Sequence, residues 1–322
     1  MLSTLQENKR PRLSDTKWVN NVADVTWVAE ILPCSDLKGL SKLSRTSTFF
    51  NKFWQRVKRA CQDQIDVKQK AKHHISFRDS RIYLCCPTIE RAMALAQQIS
   101  NIKSLKICWY GETKPLKIRL EEGGHEIMGN GRLNVNCSHI TFVGKGKDHT
   151  TIRGGFRVCN QQHVKFEELT ITNQSGAGLH LSGSETTVDV LKCVVKECRY
   201  SGMFVEEGAI VTATRCDFME NSRSGVAFEG AVTKVRLNDS TMHHNGWFGL
   251  YANDRAVVDL HGTKTDIHSN KLGGIYACRH GKVNIHLPSQ HNTSHDNVGE
   301  DRQQWGGGSI ANINVDGTFT HT

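Results

Sequence analysis

The chain has 322 residues, of which 38% are hydrophobic and 23% are charged, so it can form one large domain, or a large and a small one. No run of about eighteen apolar residues occurs, which argues against a membrane-spanning helix. The opening "MLSTLQENKRPRLSDTKW" lacks the apolar stretch of a secretory signal, so we expect a cytoplasmic or nuclear protein.

The net charge of +9 belongs to the first quarter of the chain. Residues 1–82 contain 16 Lys and Arg against 8 Asp and Glu, whereas residues 83–322 contain 25 against 24. The larger part therefore offers no positive surface for a phosphate backbone, and we do not expect a nucleic-acid partner. Residues 1–17 are predicted to be a basic disordered tail. The eleven cysteines include no CxxC pair, which favours reduced thiols acting as small apolar residues.

A short phrase, glycine–apolar–any–apolar, recurs through the second half of the sequence. It begins at Gly178, Gly202, Gly225, Gly249 and Gly274, in steps of 24, 23, 24 and 25 residues. Between successive phrases lie pairs of apolar residues separated by one position, the alternation of a half-buried strand. Three short strands fit in each period, and no helical pattern separates them. The period therefore predicts a mainly β protein, a parallel β-helix whose coils rise by one strand spacing of about 4.8 Å.

Stacked coils place like residues in columns. Two columns are predicted to fill the interior, and a third to form a tight bend in which asparagine tolerates left-handed backbone angles and bonds to the next coil. The interior columns are Leu169, Cys193, Cys216, Ser240 and Thr265, and Ile171, Val195, Phe218, Met242 and Ile267; the bend column is Gln174, Cys198, Asn221, Asn245 and Asn270. Residues 298–307, beyond the usual period, are predicted to form a protruding loop.

The segment before the repeats predicts a cap for the first coil. "PTIERAMALAQQIS", residues 87–100, has helical apolar spacing and would cover the open edge of the sheet. Together with "IRLEEGGHEI" and "ITFVGKGKDHTTIRGG", this order resembles the pectin-lyase-like superfamily. The resemblance covers about residues 82–322 and implies a right-handed, single-stranded β-helix domain over residues 81–322. It implies no particular chemistry, because one fold hosts many functions.

The middle residue of each glycine phrase should point outward. These residues form a stripe about 19 Å long, with carboxylates two or three places further along the chain. We predict that the stripe and its carboxylates bind a client, an unknown protein or alternatively a glycan, through His180, Phe204, Glu206, Glu229, Tyr251, Asp254 and Tyr276. The alternative is an aromatic ladder that only stabilises the sheet.

The outer surface also carries residue types used in catalysis and in metal binding. Glu206 and Glu229 on adjacent coils would lie near 5 Å apart, within the range for a retaining glycosidase pair. The Asn-Thr-Asp and Gly-His-Gly signatures of inverting polygalacturonases are absent, so an intracellular carbohydrate-active enzyme, a glycosidase or lyase-like protein, is the alternative hypothesis. The histidine pairs His243 with His268 and His261 with His286 are too few for a closed zinc site. No metal or cofactor is expected.

Residues 18–80 predict a small helical unit of a different kind. "ILPCSDLKGLSKLSRTSTFFNKFW" carries apolar residues at three- and four-residue steps and resembles the later two thirds of an F-box. F-box proteins with β-helix repeats form a family with the same order of parts. The resemblance implies docking on the small adaptor subunit of a cullin-RING ubiquitin ligase through Ile31, Leu32, Pro33, Asp36, Leu37, Leu40, Leu43, Phe50 and Trp54.

Two hypotheses of different class follow, with a third beside them. The first is a non-enzymatic recognition protein, a substrate-recognition subunit whose β-helix presents the stripe to a client. The second is the carbohydrate-active enzyme using Glu206 and Glu229. The third is a structural or viral coat component, since a β-helix is stiff and needs no chemistry.

Overall fold

The computed structural model describes residues 64–68, 75–78, 81–101, 115–286, 293–314 and 317–321. All nine residues proposed for adaptor binding, Ile31 to Trp54, lie outside these ranges, as does the predicted tail. The described part confirms a mainly β protein built as a parallel β-helix of about 24 residues per coil with three strands in each.

The elements follow one another in a regular order. The opening part contains β1 (Gln64–Val67), β2 (Ile75–Arg78), β3 (Arg81–Cys86) and the helix α1 (Ile89–Asn101). The coils then run β4 (Leu116–Leu120), β5 (Gly123–Glu126), β6 (Arg132–Val135), β7 (Ile140–Val143), β8 (Thr150–Arg153), β9 (Gly155–Cys159), β10 (Val164–Glu167), β11 (Thr170–Thr172), β12 (Leu179–Ser182), β13 (Thr187–Leu191), β14 (Val194–Lys196) and β15 (Met203–Glu206). They continue with β16 (Ile210–Thr214), β17 (Asp217–Met219), β18 (Val226–Phe228), β19 (Lys234–Asn238), β20 (Thr241–His243), β21 (Phe248–Ala252), β22 (Val257–His261), β23 (Asp266–His268), β24 (Gly273–Cys278), β25 (Lys282–His286), β26 (Thr293–His295), β27 (Arg302–Trp305), β28 (Ser309–Ile313) and β29 (Phe319–His321).

Every third coil strand joins the same parallel sheet. We call the sheet that contains β4, β7 and β10 sheet 1, the one from β5 to β26 sheet 2, and the one from β6 to β27 sheet 3. The register stacks like on like, for example Val211 on Val235 in sheet 1 and Phe218 on Met242 in sheet 2. The members of both predicted interior columns are at most 1% exposed.

The predicted cap is present and begins two residues later than expected. Thr88 accepts the hydrogen bond of the Arg91 amide at its hydroxyl, at 3.3 Å, and so caps the start of α1. Ile89, Ala92 and Ala96 are buried on the face that packs on β1 and β3. The helix therefore covers the first end of the β-helix and helps to protect it from pairing with other chains.

Sheet 1 begins earlier than the expected boundary at residue 81. β1 pairs in parallel with β4, aligning Ile65 with Ile118 and Val67 with Leu120, and all four side chains are buried. Residues 64–67 and 75–78 thus form strands within the range where a helical unit was predicted. Its alternation spans only two apolar positions in a charged stretch, too short to indicate a strand by itself.

The bend column differs from its prediction in two ways. The left-handed residues are those immediately before the asparagines, such as Glu220 with φ 55° and His244 with φ 56°. At the first bend the predicted Gln174 is exposed, and the neighbouring Asn173 is the buried residue. The asparagine ladder therefore acts through its side chains and does not occupy the strained backbone position.

Hydrogen bonds of the ladder link one coil to the next, as predicted. Asn245 accepts at Oδ1 from the backbone amide and from Nδ2 of Asn221, at 3.1 and 3.0 Å. Its own Nδ2 donates to the Phe218 carbonyl at 3.0 Å and to Oδ1 of Asn270 at 2.9 Å. Every polar atom of this fully buried side chain is therefore satisfied, which is what burial in a β-helix core demands.

The ladder explains four of the five glycines that open the repeats, all but Gly178. A β-carbon at Gly225 would lie 2.8 Å from Nδ2 of Asn245, and one at Gly249 would lie 2.8 Å from Nδ2 of Asn270. These glycines are needed because the backbone passes directly over the asparagine amides. The glycine of each of these phrases therefore contacts an asparagine of the ladder.

The structure also bears on two further predictions, the protruding loop and the apolar role of the cysteines. The segment 298–307 is not a protruding loop, because Arg302–Trp305 pairs with β24 as β27. No disulfide links the cysteines within the described ranges, and burial raises the pKa of the Cys198 and Cys216 thiols to about 12. They therefore act as small apolar residues, as predicted.

Replacing Asn245 with alanine tests the ladder. The change leaves the Asn221 backbone amide without an acceptor and removes a donor from the Phe218 carbonyl, and an unsatisfied buried group costs about 1–3 kcal/mol. We expect the free energy of unfolding in urea to fall by about 2–4 kcal/mol. As a control, Asn284→Ala removes one hydrogen bond to the partly exposed Asp259 and should cost less than about 1 kcal/mol. Equal losses in the two variants would contradict the ladder's role.

Candidate functional site

The outward stripe forms one column on sheet 3. His180, Phe204, Ala227, Tyr251 and Tyr276 pair in register on β12, β15, β18, β21 and β24. Each lies between two inward residues because side chains alternate along a strand. Ala227 is buried at 6% exposure, and the other four are partly exposed.

The rings of this column pack in two groups, with their planes tilted relative to each other. The His180 and Phe204 ring centroids are 5.4 Å apart, and those of Tyr251 and Tyr276 are 5.7 Å apart. Phe248 extends the second group, with its ring 4.8 Å from Tyr276. These separations are in the favourable range for aromatic pairs. Ala227 divides the two groups because it carries no ring.

A second column, which the sequence analysis missed, rises beside the first. We call Tyr200, Arg223 and Trp247 the turn column, because they lie in the bends before β15, β18 and β21. The Arg223 amide donates to the Tyr200 carbonyl at 3.3 Å, and the Trp247 amide donates to the Arg223 carbonyl at 3.2 Å. The Arg223 Cζ lies 4.6 Å from the Tyr200 ring centroid and 5.1 Å from that of Trp247.

The repeat itself contains the signal for the turn column. Tyr200, Arg223 and Trp247 each stand two residues before the glycine of a phrase. Tyr200 and Trp247 are 43% and 45% exposed, although aromatic side chains are normally covered. The alternation rule that revealed the stripe applies to strands and gives no direction for residues in bends.

A groove of about 480 Å³ lies between the two columns. Its outer-face lining includes His180, Phe204, Ala227, Glu229 and Tyr251, and the turn column forms the opposite wall. Four of the seven residues predicted to bind a client therefore meet in one groove. Of the others, Glu206 and Tyr276 contact the lining from outside, and Asp254 lies exposed at the bend after β21.

The charges of the groove are mixed. His180 and Glu206 form an ion pair, with Nε2 and Oε1 2.7 Å apart. Within the described ranges, Glu229 and Arg223 form no salt bridge, although both line the groove. Burial, a Cys278 hydrogen bond and the nearby Glu229 charge raise the pKa of Tyr251 well above its usual value. Tyr251 is therefore a neutral hydroxyl at physiological pH.

The carboxylates of the enzyme hypothesis occupy adjacent coils. Val205 pairs with Phe228, and the Glu229 amide donates to the Val205 carbonyl, so Glu206 and Glu229 follow at the same level. Their environments differ, because Glu206 is paired with His180 and Glu229 faces the groove. This difference in surroundings is what an acid and base pair needs, but it is also common on a solvated sheet.

Histidine rings stack on sheets 1 and 2. Among the residues that the structure describes, no group of three or more His, Cys, Asp or Glu could hold a metal ion. On sheet 2, the rings of His243 and His268 are 5.1 Å apart and nearly parallel, and His295 continues the stack. The rings of His261 and His286 are 4.0 Å apart.

The fold has counterparts among known proteins. Residues 122–316 match the family described as the right-handed beta helix region. The chain belongs to this family. The match confirms the β-helix that the resemblance implied, and it leaves residues 18–80 outside its range.

Two solved structures are similar to this right-handed β-helix. The crystal structure of pectate lyase Pel9A shares 12% identity, covers 69% of each chain and gives a TM-score of 0.46. ORF18 of Geobacillus virus E2 shares 14% identity over 82% of this chain and 62% of that chain, with a TM-score of 0.33. No curated protein sequence matches the chain. In the described part of the β-helix, no helix is long and apolar enough to cross a membrane.

The histidine stacks predict a stability that falls in acid. Burial and the neighbouring His268 and His244 lower the pKa of His243, and burial and His286 lower that of His261. The unfolded chain binds protons at these sites first, so stability decreases as pH falls below about 6.5. We expect the variant with His243→Gln and His261→Gln to lose less unfolding free energy between pH 7 and pH 5 than the wild type.

His295 serves as a control, because its protonation should change the folding stability in the opposite direction. A hydrogen bond from the His295 ring to the Asp296 carboxylate raises the pKa of His295, so protonation of His295 favours the folded state as pH falls. His295→Gln should therefore steepen the loss in acid. Parallel pH profiles for the wild type and both variants would refute this assignment.

Proposed function

We propose that this chain is a non-enzymatic recognition protein whose sheet 3 groove binds a protein client. We further propose that residues 31–54 dock on the adaptor subunit of a cullin-RING ubiquitin ligase, which would make the chain a substrate-recognition subunit. The first part is supported by the groove and the second by the F-box resemblance alone.

The observation that carries the proposal is the pair of preordered aromatic columns. The backbone register fixes Phe204, Tyr251 and Trp247, and stacking restricts their side chains further. Binding therefore costs little side-chain entropy, which usually consumes much of the gross interaction energy. Tyr, Trp and Arg are also the residue types that carry most binding energy at protein interfaces.

The mixed charge of the groove suits a peptide chain. Arg132 and Arg223 can bind carboxylates or backbone carbonyls, while Glu229 can accept from amides or cationic side chains. Within the described ranges neither Glu229 nor Arg223 has a salt-bridge partner, so both charges are available to a client. A ladder that only protected the sheet would not need these charges or the exposed Trp247.

The alternative is a carbohydrate-active enzyme that uses Glu206 and Glu229, and their adjacent positions favour it. Its test is a panel of plant and microbial glycans incubated with the full chain. Turnover that disappears in Glu206→Gln would establish the enzyme and overturn the recognition proposal. Absence of turnover by the wild type across the panel would remove the enzyme.

Two double variants separate the proposed interfaces. Leu37→Asp with Trp54→Ala should abolish binding of the purified adaptor subunit and retain client capture, because the β-helix is unchanged. Arg223→Ala with Trp247→Ala should do the reverse, since it removes most of one groove wall. Affinity capture from lysate, with quantitative mass spectrometry and an adaptor titration, measures both.

A matched control is available on another face. Ile210 is 46% exposed on sheet 1, so Ile210→Ala removes exposed apolar surface outside the groove and should leave both interactions intact. Adaptor binding that survives the first double variant would remove the F-box interpretation. Client recovery that is equal in the second variant and in the Ile210 control would remove the groove.

A further inference from the structure

We infer that the surface over Ala227 is a slot for an arginine side chain of the client. This inference rests on the proposed protein-binding function and specifies what the groove recognises. It starts from two columns that run through the same three coils, four residues apart: Tyr200, Arg223 and Trp247, and Phe204, Ala227 and Tyr251.

The turn column shows how a guanidinium fits between coils. Arg223 lies between two aromatic rings, with Cζ 4.6 Å from the ring centroid of Tyr200 and 5.1 Å from that of Trp247. These distances match the spacing of adjacent parallel strands, about 4.8 Å. This register therefore places a planar cation one coil away from each of two rings, at a distance that favours cation–π attraction.

The sheet 3 column repeats that arrangement with its middle member missing. Phe204 and Tyr251 stand one coil on either side of Ala227, which ends at its β-carbon. Two strand spacings of about 4.8 Å separate the coils that carry the rings, enough for one planar group at favourable distance from each. All three residues line the groove, so a side chain can enter from solvent.

The charge at the end of the slot selects a cation. Glu229 follows Ala227 by two residues, lines the groove, and has no ion-pair partner within the described ranges. Glu206 lies at the same level on the adjacent coil. A guanidinium over Ala227 could therefore direct its N–H groups to Glu229 in the charge-assisted geometry that arginine favours.

The positive charge of Arg223 does not oppose this placement. Arg223 precedes β18 and Glu229 follows it, so they lie on opposite sides of Ala227 along the strand. The Arg223 cation is already covered by two ring faces. An incoming arginine that enters from the Glu229 side meets the carboxylate first.

The binding test uses capped tripeptides on the full chain. N-acetyl-Gly-Arg-Gly-amide and its citrulline, lysine and tyrosine counterparts are titrated while the Ala227 methyl signal is followed by NMR. We expect the arginine peptide to shift this signal and to bind at least about fivefold more tightly than the citrulline peptide, which is planar but neutral. In Glu229→Gln this preference should be lost, while citrulline binding stays unchanged.

A filled slot provides the matched control. Ala227→Arg should fold with a thermal midpoint no lower than the wild type, because its side chain can lie between Phe204 and Tyr251 as Arg223 lies between its rings. It should also abolish binding of the arginine peptide. If Ala227→Arg fails to fold, the geometric argument is overturned, and Glu229→Gln still reports on charge selection.

The remaining outcomes separate this inference from the function on which it rests. Tighter binding of the tyrosine peptide at Ala227 would overturn the arginine slot and leave protein recognition standing. A shift of the Ala227 signal by oligosaccharides alone would overturn both. No shift by any peptide at its highest soluble concentration would also reject the slot.

Discussion

The register between successive coils is the constraint on which the rest of the structure depends. A parallel β-helix buries its core only if residues one period apart lie above one another, since each coil has too little apolar surface to fold alone. Here the asparagine ladder locks that register, because each side-chain amide donates to a backbone carbonyl of the preceding coil and to the side-chain oxygen of the next asparagine. The glycine phrases allow the chain to pass over these amides. The asparagine ladder and the glycine phrases therefore set a single register, which aligns both the interior and the surface residues of successive coils.

The same alignment creates the groove. Aromatic residues one period apart in the sequence lie on adjacent coils, so their rings form a column. Their exposure depends on whether they lie in a strand or in a bend. Where one coil places alanine between two aromatic coils, the stack is interrupted at a spacing already set by the backbone. Such a site needs no loop rearrangement to form, which suits recognition with low entropic cost. Its chemistry can be changed by single substitutions that leave the core untouched.

The sequence was sufficient to predict what the period controls. The interior columns, the outward stripe and the capping helix all follow from spacing and alternation, and the structure places them as predicted. The turn column was missed because bends lack the two-residue alternation of strands. β1 was missed because Ile65 and Val67 alone make too short a pattern. β27 was taken for a loop because additional residues fall in the preceding period, and its polar "RQQW" shows no apolar alternation. That Glu229 and the turn column line one groove depends on side-chain direction, which spacing alone does not give.

Excision of one whole coil tests the account most directly. Removing residues 215–238 joins Thr214 to Asp239 at an equivalent position, because Thr214 pairs with Asn238. It also brings Phe204 and Tyr251 from two coils apart to adjacent coils. The measurement is the nuclear Overhauser contact between the rings of these two residues in the shortened chain. The account predicts a folded protein in which that contact appears. A shortened chain that is unfolded, or folded without the contact, would contradict the claim that the coils are held in register as equivalent units.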